Sequence, residues 1–211
     1  MSFQYDARSQ EVRNLAEYGH KKIVPEFCLC AIKIIEKLTQ TMKKLPETER
    51  LRLRQMGPSD IDFLCEILSN PEVMRFYPKQ YTREEAYEWL DRQMGRYEEF
   101  GHGLWLVERK QDGRLVGQAG VVSQKIQGEL WLEVGYMIHS QYWKRGFASE
   151  AAIACRDYAF NELNVEQVCS LIQPANIASQ RVALKNQMKP HRLVQHYDKD
   201  HLQYIVQRSD L

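Results

Sequence analysis

Apolar positions along residues 50–207 change period in a regular order, and each change marks an element. RLRLRQM (50–56) alternates as a strand does. Ser59 and Asp62 form an S-x-x-D capping signature ahead of Ile61, Leu64, Cys65 and Leu68 at helical spacing, and Pro71 marks the exit. Thr82 and Glu85 repeat that signature before a helix with Ala86, Trp89, Leu90 and Tyr97 on one side, ending near Gly101 and Gly103. LWLVERK (104–110), the turn Asp112-Gly113 and RLVGQAGVVSQ (114–124) make a β-hairpin. ELWLEVGYMIH (129–139) reads as a largely buried strand, and Ser149 to Asn161 as a helix with a stripe of small residues. EQVCSLIQ (166–173), a short helix from Asn176 to Asn186, and strands HRLVQHY (191–197) and HLQYIVQ (201–207) complete the order βααβββαβαββ. The pattern predicts one α+β domain over 46–211 without internal repeats.

Residues 1–45 break this regularity. A polar, aperiodic stretch leads into an amphipathic helix predicted from about Pro25 to Lys44, with Ile32, Ile35, Leu38 and Met42 at helical spacing. This reads as a helical extension packed on the domain or on a second subunit, or as sequence ahead of a natural start at Met42. FCLCAIKIIEKL (27–38) contains Lys33 and is far shorter than the roughly 20 apolar residues that span a bilayer. The expected location is the cytoplasm, as a monomer or homodimer.

Composition narrows the function classes. A chain of 211 residues with net charge +1 carries no field suited to nucleic acid or an anionic membrane, so any anion must bind locally. The five cysteines contain no CxxC pair and the histidines show no ligand spacing, so neither a disulfide framework nor a metal site is expected.

One junction invites an anion. QYWKRGFASEA (141–151) places Lys144, Arg145 and Gly146 between an apolar strand and a helix start. Unpaired N–H groups of a first helical turn converge there, Gly146 permits close approach or positive φ, and Ser149 adds a hydroxyl. A diphosphate would fit, although the stretch has neither P-loop nor Rossmann spacing and reads equally as a solvated loop.

Residues 48–207 resemble the GCN5-related N-acetyltransferases, in the branch of the ribosomal-protein N-terminal acetyltransferases. The resemblance is carried by ETERLRLR (47–54), EVGYMI (133–138), YWKRGFASEA (142–151) and NIASQRVALKNQM (176–188). It implies the mixed, mostly antiparallel sheet of that fold, flanked by helices, with acetyl-CoA as cosubstrate. Its pyrophosphate turn, Q/R-x-x-G-x-G/A, stands here as Trp143 to Ala148, which implies cofactor contacts from Lys144, Arg145, Gly146, Phe147, Ala148 and Ser149. A glycine usual near the end of the short helix is Gln187 here. The resemblance also places the pantetheine arm along Tyr136 to His139, with N–H groups of Met137 and Ile138 as donors. It gives Asn176 a contact with that arm and Ser179 the protonation of the departing thiolate; both also read as a helix cap.

Glu133 is the carboxylate inside the apolar run, and partial burial would raise its pKa toward that of a general base. A structural hydrogen bond is its plainer reading. Tyr77, expected to be exposed, would wall an acceptor pocket with Trp105 and Trp131. Freeing a lysine amine at pH 7 costs about 4.6 kcal/mol but an α-amine only about 1 kcal/mol, which leans toward peptide N-termini over small amines. The expected activity is acetyl transfer to a primary amine by direct attack on the thioester. The rival reading is a degenerate acetyl-CoA-binding sensor or assembly domain.

Overall fold

The computed structural model describes residues 44–211, so the predicted extension helix lies outside the described residues. Eleven elements follow in the expected order: β1 (Leu51–Arg54), α1 (Ile61–Ser69), α2 (Arg83–Phe100), β2 (Leu104–Arg109), β3 (Leu115–Ile126), β4 (Glu129–Ile138), α3 (Phe147–Asn161), β5 (Gln167–Ile172), α4 (Ile177–Lys185), β6 (Lys189–His196) and β7 (Lys199–Gln207). The strands form one seven-stranded sheet in the order β1-β2-β3-β4-β5-β7-β6. All neighbours are antiparallel except β4 and β5.

Strand alternation sorts side chains between two layers. In β2, Trp105 and Val107 join the core beneath α3, whereas Leu104 and Leu106 pack with α1 and α2 on the other face. In β4, Val134 and Ile138 take the α3 side and Met137 the opposite one. Ala151, Ala152, Cys155 and Ala159 on α3 are fully buried, and these short side chains let the helix lie close on β3 and β4. β4 is less enclosed than its apolar run suggests, because Leu130 at its start is 77% exposed.

Thr82 and Glu85 form the predicted capping box, with Thr82 N–H donating to Glu85 at 2.9 Å. The predicted Ser59/Asp62 cap does not form. A 3₁₀ turn over Pro58–Asp60 moves the helix start to Ile61, and Asp60, not Ser59, accepts the Gly57 N–H at 2.9 Å. Asp60 also pairs with Arg54, and Asp62 reaches Arg83 at 2.8 Å instead. Between β6 and β7, Tyr197 and Asp198 both have positive φ, the two-residue turn that matches strand twist. Among the described residues no helix is long and apolar enough to cross a membrane.

Candidate functional site

The sheet opens between β4 and β5. They pair only at Glu133↔Cys169, and Ser170 donates its hydroxyl to the Val134 carbonyl at 2.7 Å. The Ile138 carbonyl accepts from Trp143 Nε1 at 2.7 Å. These two carbonyls lie on the same edge, so strand alternation turns the N–H groups of Tyr136 and Ile138 toward the gap as well. The intervening Met137 carbonyl lies against Gly117 of β3. Of the two predicted N–H donors, therefore, Ile138 faces the gap, Met137 faces β3, and Tyr136 is the donor that the sequence reading passed over. His139 is a turn-closing residue: its N–H donates to Val116, its carbonyl accepts from Tyr142, and its ring reaches Glu66 at 3.1 Å.

At the end of β4 the predicted anion turn takes shape. Lys144 has φ 61° and Gly146 φ 84°, two left-handed residues that reverse the chain into α3. The helix begins at Phe147, two residues earlier than predicted, so the N–H groups of Phe147, Ala148 and Ser149 belong to its open first turn. Lys144, Arg145 and Gly146 are exposed and Phe147 is buried as the anchor. The sequence reading also missed Arg50, which braces this turn. Its guanidinium donates to Glu150 at 2.7 Å and to the Arg145 carbonyl at 3.1 Å, and lies 4.8 Å from the Phe147 ring centre. The donor set suits a diphosphate: open amides at a helix N-terminus, two exposed cations and no Cβ on Gly146. From Ile138 back to Glu133 is five strand residues, ~17 Å, a span an extended pantetheine arm can follow.

Glu133 faces a cleft of about 450 Å³ that runs through the opening to α4. Burial pushes its carboxyl above the usual carboxylate range, while the Gln124 amide, the Leu171 N–H and the charge of Arg96 pull against that rise. Asn176 and Ser179 line the same cleft. Asn176 caps α4 by accepting the Ser179 N–H at 3.1 Å, and the Ser179 carbonyl accepts from Tyr136 at 2.9 Å. Tyr136 thereby ties the start of α4 to β4 across the gap. Tyr77 lines the cleft as predicted but is half-buried; burial and the nearby Glu133 charge both raise its hydroxyl pKa.

Two predicted pocket walls belong elsewhere. Trp105 is fully buried on the α3 face, edge-on to Tyr158 at 5.0 Å, because its strand parity is opposite to that of Leu104, which does line the cleft. Trp131 packs against the Ile126–Cys169–Val194 cluster and bonds Glu129 at 3.2 Å. The residues found in their place are Trp89, Arg92 and Arg96 from α2, and His196, Lys199 and His201 from the β6–β7 hairpin. The four-residue spacing of Arg92 and Arg96 was a readable signal; the hairpin's approach to α2 was not. Cys155 and Cys169 are buried, and desolvation raises both thiols, which makes them poor nucleophiles.

Known proteins match this architecture. The family model "Acetyltransferase (GNAT) domain" covers residues 50–189. The uncharacterised protein YkkB of Bacillus subtilis is 37% identical over 153 residues, covering 72% of this chain and 89% of the relative. A GNAT-family acetyltransferase structure from Bacillus anthracis superposes with TM-score 0.67 at 27% identity, covering 78% of this chain and 98% of that one. Spermidine N-acetyltransferase from Vibrio cholerae, solved with CoA and spermine, shares the fold at TM-score 0.62 and 16% identity, over 77% and 98% of the two chains. A split sheet with an open, cationic helix N-terminus at one end and a half-buried carboxylate at the other is thus carried by a chain that belongs to the GNAT family, an N-acetyltransferase with acetyl-CoA as its cosubstrate.

Proposed function

We propose that this chain transfers acetyl from acetyl-CoA to a primary amine, a peptide α-amine or a small-molecule amine, by direct attack of the amine on the thioester. The observation that carries this is Glu133: a carboxylate of raised pKa facing a cleft that runs between β4 and β5 to the start of α4. Phe147, Ala148 and Ser149 N–H groups with Lys144 and Arg145 hold the diphosphate, and the Tyr136 and Ile138 N–H groups orient the arm and polarise the carbonyl. Glu133 accepts the proton of the incoming amine, directly or through one water. Ser179, at the capped start of α4, gives a proton to the departing thiolate, and Asn176 contacts the arm. No covalent enzyme intermediate is needed. Residues 46–211 carry the activity, in the branch of the ribosomal-protein acetyltransferases.

The test is thiol release from acetyl-CoA in the presence of amines and N-terminal peptides. Turnover supports the enzyme; acetyl-CoA binding without turnover on any acceptor favours a sensor; absence of binding sinks both. A chain beginning at Met42 that loses turnover would overturn the assignment of activity to 46–211.

A further inference from the structure

The acceptor end of the cleft carries an excess of positive charge that the reaction above does not use, beyond the pull of Arg96 on the Glu133 carboxyl. Arg92 and Arg96 stand one turn apart on α2 and Lys199 comes from the facing hairpin, beside His201 and a His196 whose charged form burial disfavours. The cross-strand pair His196↔Lys199 and the alternation of β7 put these three groups on one face, with the His196 and His201 rings 5.7 Å apart. Glu133 is the one carboxylate lining the cleft among the described residues.

Apart from Glu133, whose carboxyl feels the charge of Arg96, nearby acids do not cancel this charge. Asp200 points to the other face and bonds Gln195, Asp198 sits in the turn, and Glu88 reaches Arg92 only at 3.9 Å across solvent. Neither Arg96 nor Lys199 forms an ion pair among the described residues. Arg96 is half-buried, with Gln93 Oε1 at 3.5 Å. The cosubstrate's phosphates do not need these cations, because the turn at Lys144 to Ser149 lies ~17 Å or more along β4 from Glu133. Phe76, Tyr77, Tyr81 and Trp89 supply an aromatic wall beside the cationic one.

We infer that the acceptor is an amine that also carries a carboxylate: Glu133 receives its nitrogen, and the Arg92, Arg96 and Lys199 side receives its anion. This rests on the acetyltransferase reading and narrows it. Polyamines and aminoglycosides, which bring only positive charge, meet like charge at this wall and are disfavoured.

Matched acceptors test it. With the full chain and acetyl-CoA, phenylalanine is compared with phenylalanine amide, and the peptide Asp-Ala amide with Asn-Ala amide; spermidine serves as the polycation. The acid of at least one pair should show a KM lower by about tenfold at similar kcat, and the gap should narrow at high salt. Which pair responds tells a free amino acid from an acidic peptide N-terminus. Lys199→Gln should raise KM for the acid severalfold and leave the amide unchanged. Should none of these acceptors turn over, N-acetylphenylalanine and its amide are titrated into the CoA complex, where the acid should bind about tenfold tighter. Equal constants within both pairs, a preference for spermidine, or equal binding of the acetylated pair overturns the inference while acetyl-CoA binding keeps the enzyme reading intact. Failure to bind acetyl-CoA overturns both.

Discussion

Replacing Gly146 by alanine tests the proposed diphosphate turn most directly. At φ 84° and ψ −3° the residue is left-handed, where a Cβ costs about 1–2 kcal/mol. Alanine also narrows the unfolded ensemble and recovers about 0.4–1 kcal/mol, so the fold should lose about 1 kcal/mol and the Tm roughly 2–4 °C. The new Cβ would sit 3.3 Å from Arg50 Nη2, a guanidinium already held by Glu150 and the Arg145 carbonyl. Arg50 and the turn must therefore separate by a few tenths of an ångström, next to the amides proposed to receive the phosphates. Losing one hydrogen bond to a charged group is worth about 1.5–3 kcal/mol, or roughly ten- to hundredfold in affinity. Calorimetric titration with acetyl-CoA reads this, and the Tm rise that acetyl-CoA confers should shrink with it. Gly146→Asn separates the two causes, since asparagine tolerates positive φ but carries the same Cβ. It should restore the Tm without restoring the affinity. An alanine variant that binds acetyl-CoA as tightly as the native chain would refute the placement of the diphosphate.

Three other changes probe the remaining assignments. Glu133→Gln should lower kcat by about 10²–10⁴ and leave acetyl-CoA affinity intact; because its folded pKa is raised, Glu133 costs the native chain stability as pH rises through that pKa, so the variant's Tm should gain on the native Tm with increasing pH. A variant with full kcat, or a Tm difference independent of pH, counts against the buried base. Trp105→Ala should cost about 3–5 kcal/mol as a core truncation, whereas Trp105→Phe, which also removes an indole N–H lacking a partner, should cost less and leave the acceptor KM unchanged in steady-state assays; a raised KM would return Trp105 to the pocket. Gln187→Gly should raise the Tm by roughly 2–4 °C in a thermal melt, since Gln187 is exposed with φ 61° and gains about 1 kcal/mol from losing its Cβ there; an unchanged or lower Tm would show that its side chain supports the turn.

Local signals served well where the physics is local. Helical and alternating periods, the Thr82 box and the Asp112-Gly113 turn depend on neighbours in sequence, and those elements formed as read. Gln187 is instructive, because it holds φ 61° at the position where the resemblance expects a glycine. The Ser59/Asp62 cap failed because two motifs competed for one turn, and the Arg54–Asp60 ion pair, invisible as a period, favoured the other.

Site residues divide along the same line. Glu133, Asn176 and Ser179, named from contiguous motifs, do line one cleft, and the Lys144–Ser149 turn does form at a helix start, while their catalytic and binding roles are proposals. The tertiary structure alone decided which side of the sheet each side chain serves. Trp105 and Leu104 are neighbours in sequence, yet strand parity puts one in the α3 core and the other in the cleft. It alone opened β4 from β5, set Tyr136 against α4, and brought the β6–β7 hairpin of residues 196–201 to the α2 arginines more than a hundred residues earlier. A chain states its periods and motifs locally, but which groups share a cleft follows from how strands are ordered in a sheet, and that ordering is a property of the whole packed domain.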